Sequence, residues 1–254
     1  MLITKPQLQA INKKNLHYPL DIAEKDYFLT LAVKLIAESN LRDILVFKGG
    51  TALHHCYLPQ YRFSEDLDFT SLDRTLALDA VTAVLVGDGT FTIKRHFTSP
   101  ATLKVERLGY AGVLAQPGAI KVEIDRLQNV VLPPVAVAYA NVWQVPVTVM
   151  TMDIREICAE KIRAASTRAR YRDFYDLYLI VEHFALELEE IIALLGQKER
   201  RAPITHAAML RNWQRASREA ATDLRSIHCT RPVAEQAIQS MVEQLSFAPL
   251  TPSL

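Results

Sequence analysis

Between Ile44 and Phe69 the chain sets a strand, a glycine turn, a helix start and a second strand in close succession. Ile44-Leu-Val-Phe47 is a short apolar run of strand type that ends at Lys48-Gly49-Gly50. Thr51 to Tyr57 follows as the first turns of a helix, with Thr51 at the N-cap and Pro59 beyond its end. Phe63 to Phe69 then alternates with period two, Phe63, Leu67 and Phe69 on one face and Ser64, Asp66 and Asp68 on the other. Few arrangements of a backbone satisfy that order. A glycine pair after a strand lets the main chain approach a ligand closely. The helix that opens there presents free N–H groups and the positive end of its dipole, which suit phosphate. Asp66 and Asp68, two apart on a strand, project their carboxylates from the same face. That is a hard, oxygen-rich pair of the kind that holds Mg²⁺ together with substrate phosphates.

The surrounding sequence supplies a sheet for this unit. Residues 22–40 read as an amphipathic helix with Tyr27, Leu31 and Val33 to Leu35 inward and Glu24 and Lys25 outward, and residues 76–86 as another helix. Phe91–Phe97, Thr102–Gly109 and Ala119–Leu127 are strand candidates, with Val145–Met150 as one more. In the third of these, Ile120, Val122 and Ile124 face one way and Lys121, Glu123 and Asp125 the other. A third acid on that strand, Glu123 or Asp125, would complete a two-metal site for in-line phosphoryl chemistry. Leu127 to Met152 carries no charged residue, but Pro133, Pro134 and Pro146 break it, so it reads as a loop and strand crossing a buried surface and not as a membrane span. Asp153-Ile-Arg-Glu156 has the form of a capping box. From there to residue 246 the pattern is helical, with interruptions near Gly196, Pro203 and Arg231-Pro232. The expected organisation is an α/β (α+β) part over residues 1–150, with a mixed sheet, and an all-helical part over 151–254.

Composition closes off other classes. Half the residues are apolar, and 29 Lys+Arg stand against 28 Asp+Glu. Such a chain buries a core and does not remain disordered, and a net charge of +1 does not suit a protein that coats nucleic acid nonspecifically. Cys56, Cys158 and Cys229 have no framework spacing and read as reduced thiols. The N-terminus lacks the apolar stretch of a signal peptide, so a cytoplasmic location is expected, with no membrane partner. His54, His55 and Cys56 are adjacent, point in different directions on a helix, and are not expected to share a metal.

Taken singly, a Gly-Gly pair is commonly a turn and an Asp-x-Asp commonly a solvated strand face. In the order strand, Gly-Gly, helix, Asp-x-Asp strand, acidic strand they have the layout of the polymerase-β-type nucleotidyltransferase fold. More specifically, FKGGTALHHCYLPQYRFSEDLDFT (Phe47 to Thr70) resembles the first motif of the AbiEii/AbiGii toxin family of nucleotidyltransferases, which includes the MenT-type toxins. KVEID (Lys121 to Asp125) is a second match, and EKIRAASTRARYRDFYDLYLI (Glu160 to Ile180) a third. The last 70 or so residues resemble the family only in being helical.

The resemblance implies roles. Gly49, Gly50 and Thr51 would bind the triphosphate, with Lys48 and Ser64 as further nucleotide-binding candidates, while Arg62, on the face of Ser64 and Asp66, would either touch phosphate or pair with an acid. Asp66 and Asp68 would ligate metal, and Glu123 or Asp125 would be the third acid. Lys161 would contact the phosphates and Asp176 would be a functional acid near it. Arg168, Arg172 and Asp173 match the same motif. Between Lys161 and Arg172 the sequence holds five cations and no acid, and on a continuous helix Lys161, Arg168 and Arg172 would share a face, with Arg172 able to pair with Asp176. Such a stripe can neutralise pyrophosphate or a polynucleotide backbone. Tyr171, Tyr175 and Tyr178 form a stripe better suited to a core than to base stacking, and Trp213 falls in a basic segment (Arg211, Arg215, Arg218) that reads as a solvated face, with an RNA-facing surface as the alternative. The implied activity is transfer of NMP from an NTP to an acceptor, with Mg²⁺ as cofactor and Mn²⁺ as the alternative. The family implies a bacterial toxin of a toxin–antitoxin or abortive-infection system, tRNA 3′ ends as acceptor, and a winged-helix AbiEi-type antitoxin. Two other functions fit the same residues: a small-molecule, antibiotic-type nucleotidyltransferase, and a non-catalytic nucleotide- or RNA-binding regulator.

Overall fold

The computed structural model describes residues 2–253. The chain forms two compact units, one of Met1–Leu127 with Pro134–Met152 and one of Gln128–Pro133 with Asp153–Leu254.

The first unit is built on helices α1 (Lys5–Asn15), α2 (Leu20–Ala37), α3 (Gly49–Ala52) and α4 (Leu78–Val86), and on strands β1 (Leu45–Lys48), β2 (Asp66–Ser71), β3 (Phe91–Thr98), β4 (Thr102–Ala111), β5 (Pro117–Asp125), β6 (Val135–Ala138) and β7 (Thr148–Thr151). The strands make one mixed sheet in the order β3-β4-β5-β2-β1-β7-β6. β2 runs antiparallel to β1 and parallel to β5, while β1 and β7 are parallel. Phe28, Leu29, Val33 and Ile36 of α2 and Val81 and Leu85 of α4 are buried with Leu67, Phe69, Val105, Ile120, Val122 and Ile124 of the sheet. The period-two alternation of β5 therefore sends its aliphatic residues under the helices and Lys121, Glu123 and Asp125 to the other face.

Local expectations were met unevenly. α2 is buried on more of its circumference than an amphipathic helix requires: Glu24, expected outward, is buried, and its Oε1 accepts the Leu114 N–H at 2.9 Å. Asp26 is likewise buried, accepting from Trp143 Nε1 at 2.8 Å and Gln60 Nε2 at 2.5 Å. The helix after the glycines starts at Gly49, with Lys48 and not Thr51 at its N-cap, and runs into a π-helical turn, Leu53–Tyr57. The uncharged crossing contains β6 as well as β7, paired antiparallel from Val135↔Thr151 to Ala138↔Thr148.

The second unit is helical: α5 (Ile154–Thr167), α6 (Tyr171–His183), α7 (Leu188–Gln197), α8 (His206–Ala216), α9 (Ala220–Ser226) and α10 (Glu235–Gln244). Asp153 caps α5 by accepting from Arg155 N. Glu156, placed by the sequence pattern in a capping box, has a different role. It is fully buried, takes Lys198 Nζ at 2.5 Å, and accepts the N–H groups of Val131 and Leu132 at 3.0 Å. Lys198 also donates to Asn129 O at 2.8 Å. These bonds attach residues 128–133 to the helical unit. Tyr171, Phe174 and Trp213 pack together in its core, so Trp213 is not a solvated face. Among the described residues no helix is long and apolar enough to cross a membrane.

Candidate active site

The candidate site of the first unit grows from the end of β1. Lys48 is the register partner of Asp68 on β2, and Asp68 that of Glu123 on β5. Register partners share a sheet face, so Lys48, Asp68 and Glu123 form a row across three strands, with Asp66 and Lys121 paired in the next row.

At Gly49 the backbone turns with φ +78°, a conformation that side-chain-bearing residues rarely adopt. A Cβ there would stand 2.6 Å from Asp68 Oδ2, and one on Gly50 would stand 2.6 Å from Arg62 Nη2 and 2.8 Å from Ser64 Oγ. The glycine pair thus lies directly under three of the side chains the motif singles out. Arg62 is buried and donates to Phe63 O at 2.9 Å, which orients its guanidinium over Gly50. Thr51 is placed differently from a phosphate ligand. It is fully buried and its hydroxyl donates to Asp66 O at 2.5 Å, pinning the helix start to β2.

Asp66 and Asp68 are both partly exposed. Burial first, and then the neighbouring Asp66 charge, push the Asp68 carboxyl up to about 6, against the lowering pull of Lys48 and Lys121. Lys121 Nζ stands 3.4 Å from Asp66 Oδ2 and 3.0 Å from Glu123 Oε2, and Lys104 Nζ is 3.1 Å from the same Glu123 oxygen. Burial works to lower Lys121, but the Glu123 and Asp66 carboxylates outweigh it and hold the ammonium above its usual range. Burial would raise Glu123, and hydrogen bonds from Lys121 and Lys104 reverse that and hold it low. Asp125 Oδ1 accepts the Leu127 N–H at 2.9 Å, at the end of β5 and level with Thr70. Of the two acids left open by the sequence, Glu123 is therefore the one beside Asp68.

Among the described residues no three of His, Cys, Asp and Glu converge closely enough to hold a metal by themselves. The four-acid set of Asp66, Asp68, Glu123 and Asp125 is thus not assembled as a ligand cluster. Asp66 and Asp68 offer two hard donors, and Lys121 stands between them and Glu123. Lys121 and Lys104 were not foreseen as part of this site, although the alternation of β5 puts Lys121 on the acidic face.

The second unit brings the third motif together. Lys161 Nζ lies 2.7 Å from Asp176 Oδ2 and 3.3 Å from Asp173 Oδ1, and both carboxylates are buried. Arg168 grips Asp173 with both edges of its fork, Nε to Oδ2 at 2.7 Å and Nη2 to Oδ1 at 3.0 Å. Burial would raise Asp173, but the Lys161 and Arg168 charges prevail and its carboxyl titrates below the ordinary range. The continuous helix behind the expected cation stripe is absent: α5 ends at Thr167 and α6 starts at Tyr171, so Arg168 lies in the break. Asp176 pairs with Lys161 and not with Arg172, which makes no ion pair among the described residues.

Comparison with known proteins bears on the family and the fold. The family model described as nucleotidyl transferase AbiEii toxin, type IV toxin–antitoxin system, matches residues 31–247. In solved structures, MenT4, a nucleotidyltransferase toxin of Mycobacterium tuberculosis H37Rv, is similar with a TM-score of 0.67 at 22% identity, over 94% of this chain and 87% of that one. A candidate nucleotidyltransferase from H. pylori is similar with a TM-score of 0.57 at 17% identity, over 90% of this chain and 96% of that one. At these identities the likeness is one of fold. No curated protein matches the chain.

Proposed function

Because the chain belongs to the nucleotidyltransferase AbiEii toxin family of type IV toxin–antitoxin systems, we propose that it moves a nucleoside monophosphate from an NTP to the 3′ end of an RNA, with tRNA as acceptor. The acceptor hydroxyl gives up its proton to a carboxylate of the site as its oxygen bonds to the α-phosphorus, the bond to the bridging oxygen of the β-phosphate breaks, and pyrophosphate leaves.

The observation that carries the reading is the placing of Asp66 and Asp68 on one face beside a glycine turn in which Gly49 has no room for a Cβ. Two carboxylates fit Mg²⁺ in the manner of sites that the substrate's own phosphates complete, and a carboxyl raised to about 6 gains from a nearby cation. When bound, the metal supplies charge neutralisation at the phosphates. Lys48, Arg62 and the N–H groups at the start of α3 receive the triphosphate, and Ser64 donates beside them. Glu123 is the third acid. For the second unit the proposal rests on the family motif, with Lys161, Arg168 and Arg172 as cations for phosphate and Asp176 as the carboxylate that holds Lys161. The protein acts in the cytoplasm as a toxin, and its cognate antitoxin is a winged-helix regulator.

Incubation with each α-labelled NTP, Mg²⁺ and total RNA tests this. Labelled RNA is expected, and chelation of the metal and Asp66→Ala should each abolish it. Equal labelling by Asp66→Ala removes the site assignment. Label confined to a low-molecular-weight acceptor removes RNA as substrate.

A further inference from the structure

The sheet face that carries Asp66 and Asp68 continues beyond Lys121 onto β4 and β3. Alternation along β5 sets Ala119 on the same face as Lys121 and Glu123, and Ala119 is the register partner of Gly109, itself paired with Thr92. Over this stretch lies a groove of about 860 Å³ lined by Gly109 and Ala119 and by Lys94, Arg95 and Arg107. Among the described residues no acid lines it, in a chain whose charges otherwise balance at 29 to 28. Arg95 pairs with Glu106 outside the lining. Lys94 and Arg107 are exposed and form no ion pair among the described residues. Two arginines are therefore held beside each other, since Arg95 and Arg107 are register partners, and of the two only Arg95 has a carboxylate, that of Glu106.

A second feature lies on the same face. Phe97 is the one aromatic among the large exposed hydrophobic residues described, at 50% exposure. It pairs in register with Lys104, Lys104 with Glu123 and Glu123 with Asp68. That row crosses three strand spacings, about 14 Å, from an unpacked aromatic ring to the candidate catalytic acids. An exposed ring on the same sheet face as the cations Lys94 and Arg107, which make no ion pair among the described residues, is the combination that binds single-stranded nucleic acid, the ring taking a base face and the cations the backbone.

We infer that the outer face of β3–β4–β5 is the docking track of the RNA acceptor: Lys94, Arg95 and Arg107 take backbone phosphates, and Phe97 stacks on a base close to the reacting 3′ end. The groove is larger than a single phosphate requires, and its lining reaches Ala119, two residues along β5 from Lys121, the register partner of Asp66. This inference rests on the reading of RNA as the acceptor and adds the surface that holds it.

The test uses the full chain, a short fluorescein-labelled single-stranded RNA and anisotropy at several salt concentrations, with RNA labelling by α-labelled NTP in parallel. The charge-reversed double variant Lys94→Glu/Arg107→Glu should weaken RNA binding on the order of ten-fold or more and lower the salt slope by about 0.7 for each phosphate that is no longer neutralised. Phe97→Ala should weaken it by roughly five-fold or more, and Phe97→Trp should restore it. Nucleotide affinity without RNA, read separately, should remain that of the wild type, and unfolding midpoints report that the variants fold. Wild-type RNA affinity and salt slope in both the double variant and Phe97→Ala overturn the track alone. A wild-type protein that neither binds nor labels RNA overturns the acceptor reading and the track together.

Discussion

Three glycine-to-alanine substitutions separate backbone strain from crowding at the turn under Asp68. Gly49 and Gly89 have nearly the same left-handed backbone, φ +78° and +77°. They differ in what a new Cβ would meet: nothing within 4 Å at Gly89, but Asp68 Oδ2 at 2.6 Å and Asp68 Cβ at 3.1 Å at Gly49. A left-handed alanine costs about 1–2 kcal/mol, offset by about 0.4–1 kcal/mol from the stiffer unfolded chain. Gly89→Ala should therefore destabilise by roughly 1 kcal/mol, or about 2–4 °C in Tm for a chain of this size. Gly49→Ala carries the same cost plus an overlap with a side chain whose Cβ is fixed to β2, worth about 1–3 kcal/mol more. Gly50→Ala has no unusual φ and meets only the far ends of Arg62 and Ser64 at 2.6 and 2.8 Å. Those ends can shift, and alanine favours the helix by up to about 1 kcal/mol, so stability should stay near that of the wild type while Arg62 is displaced. Urea unfolding at constant m-value ranks the three, with RNA labelling below the unfolding range as the functional reading. Gly49→Ala should be least stable and inactive, and Gly50→Ala stable with weakened NTP binding. If Gly49→Ala cost no more than Gly89→Ala, the tight packing of Asp68 on the turn would be refuted.

Two further predictions concern the helical unit. Lys198→Met leaves Glu156 buried without its cation and should cost about 3–5 kcal/mol in chemical unfolding, whereas adding Glu156→Gln should recover part of it; a near-neutral single substitution would show that the pair does not hold residues 128–133. Asp173 has a folded-state carboxyl below its unfolded value, so its contribution is complete above the unfolded value and disappears as pH falls through the folded one. Asp173→Asn should accordingly flatten the loss of stability below about pH 5, and an unchanged acid limb of the pH–stability curve would remove Asp173 from the linkage.

The strand, glycine turn and Asp-x-Asp strand were legible in the sequence because each depends on local rules: period-two alternation, the steric freedom of glycine, and the preference of free N–H groups for anions. The same alternation placed Glu123 and Asp125 opposite the aliphatic face of β5. Residues whose roles depend on distant partners were not legible. Glu24 has the chemistry of a surface residue and is buried because Leu114 N–H comes to meet it. Glu156 looks like half of a capping box and is instead claimed by Lys198. Thr51 suits an N-cap or a phosphate and is taken by Asp66 O. Trp213 sits between arginines in sequence and packs on Tyr171 and Phe174 in space.

By itself, then, the sequence determined the family, the mixed α/β class and the face on which the acids lie. Tertiary structure decided which acid stands beside Asp68, through the parallel register of β2 with β5. It also decided that Lys121 and Lys104 occupy Glu123, and that Lys161 is claimed by Asp176 and Asp173. Periodicity fixes the direction of a side chain from its own strand or helix, but a charge takes its partner from whatever another segment brings within a few ångströms.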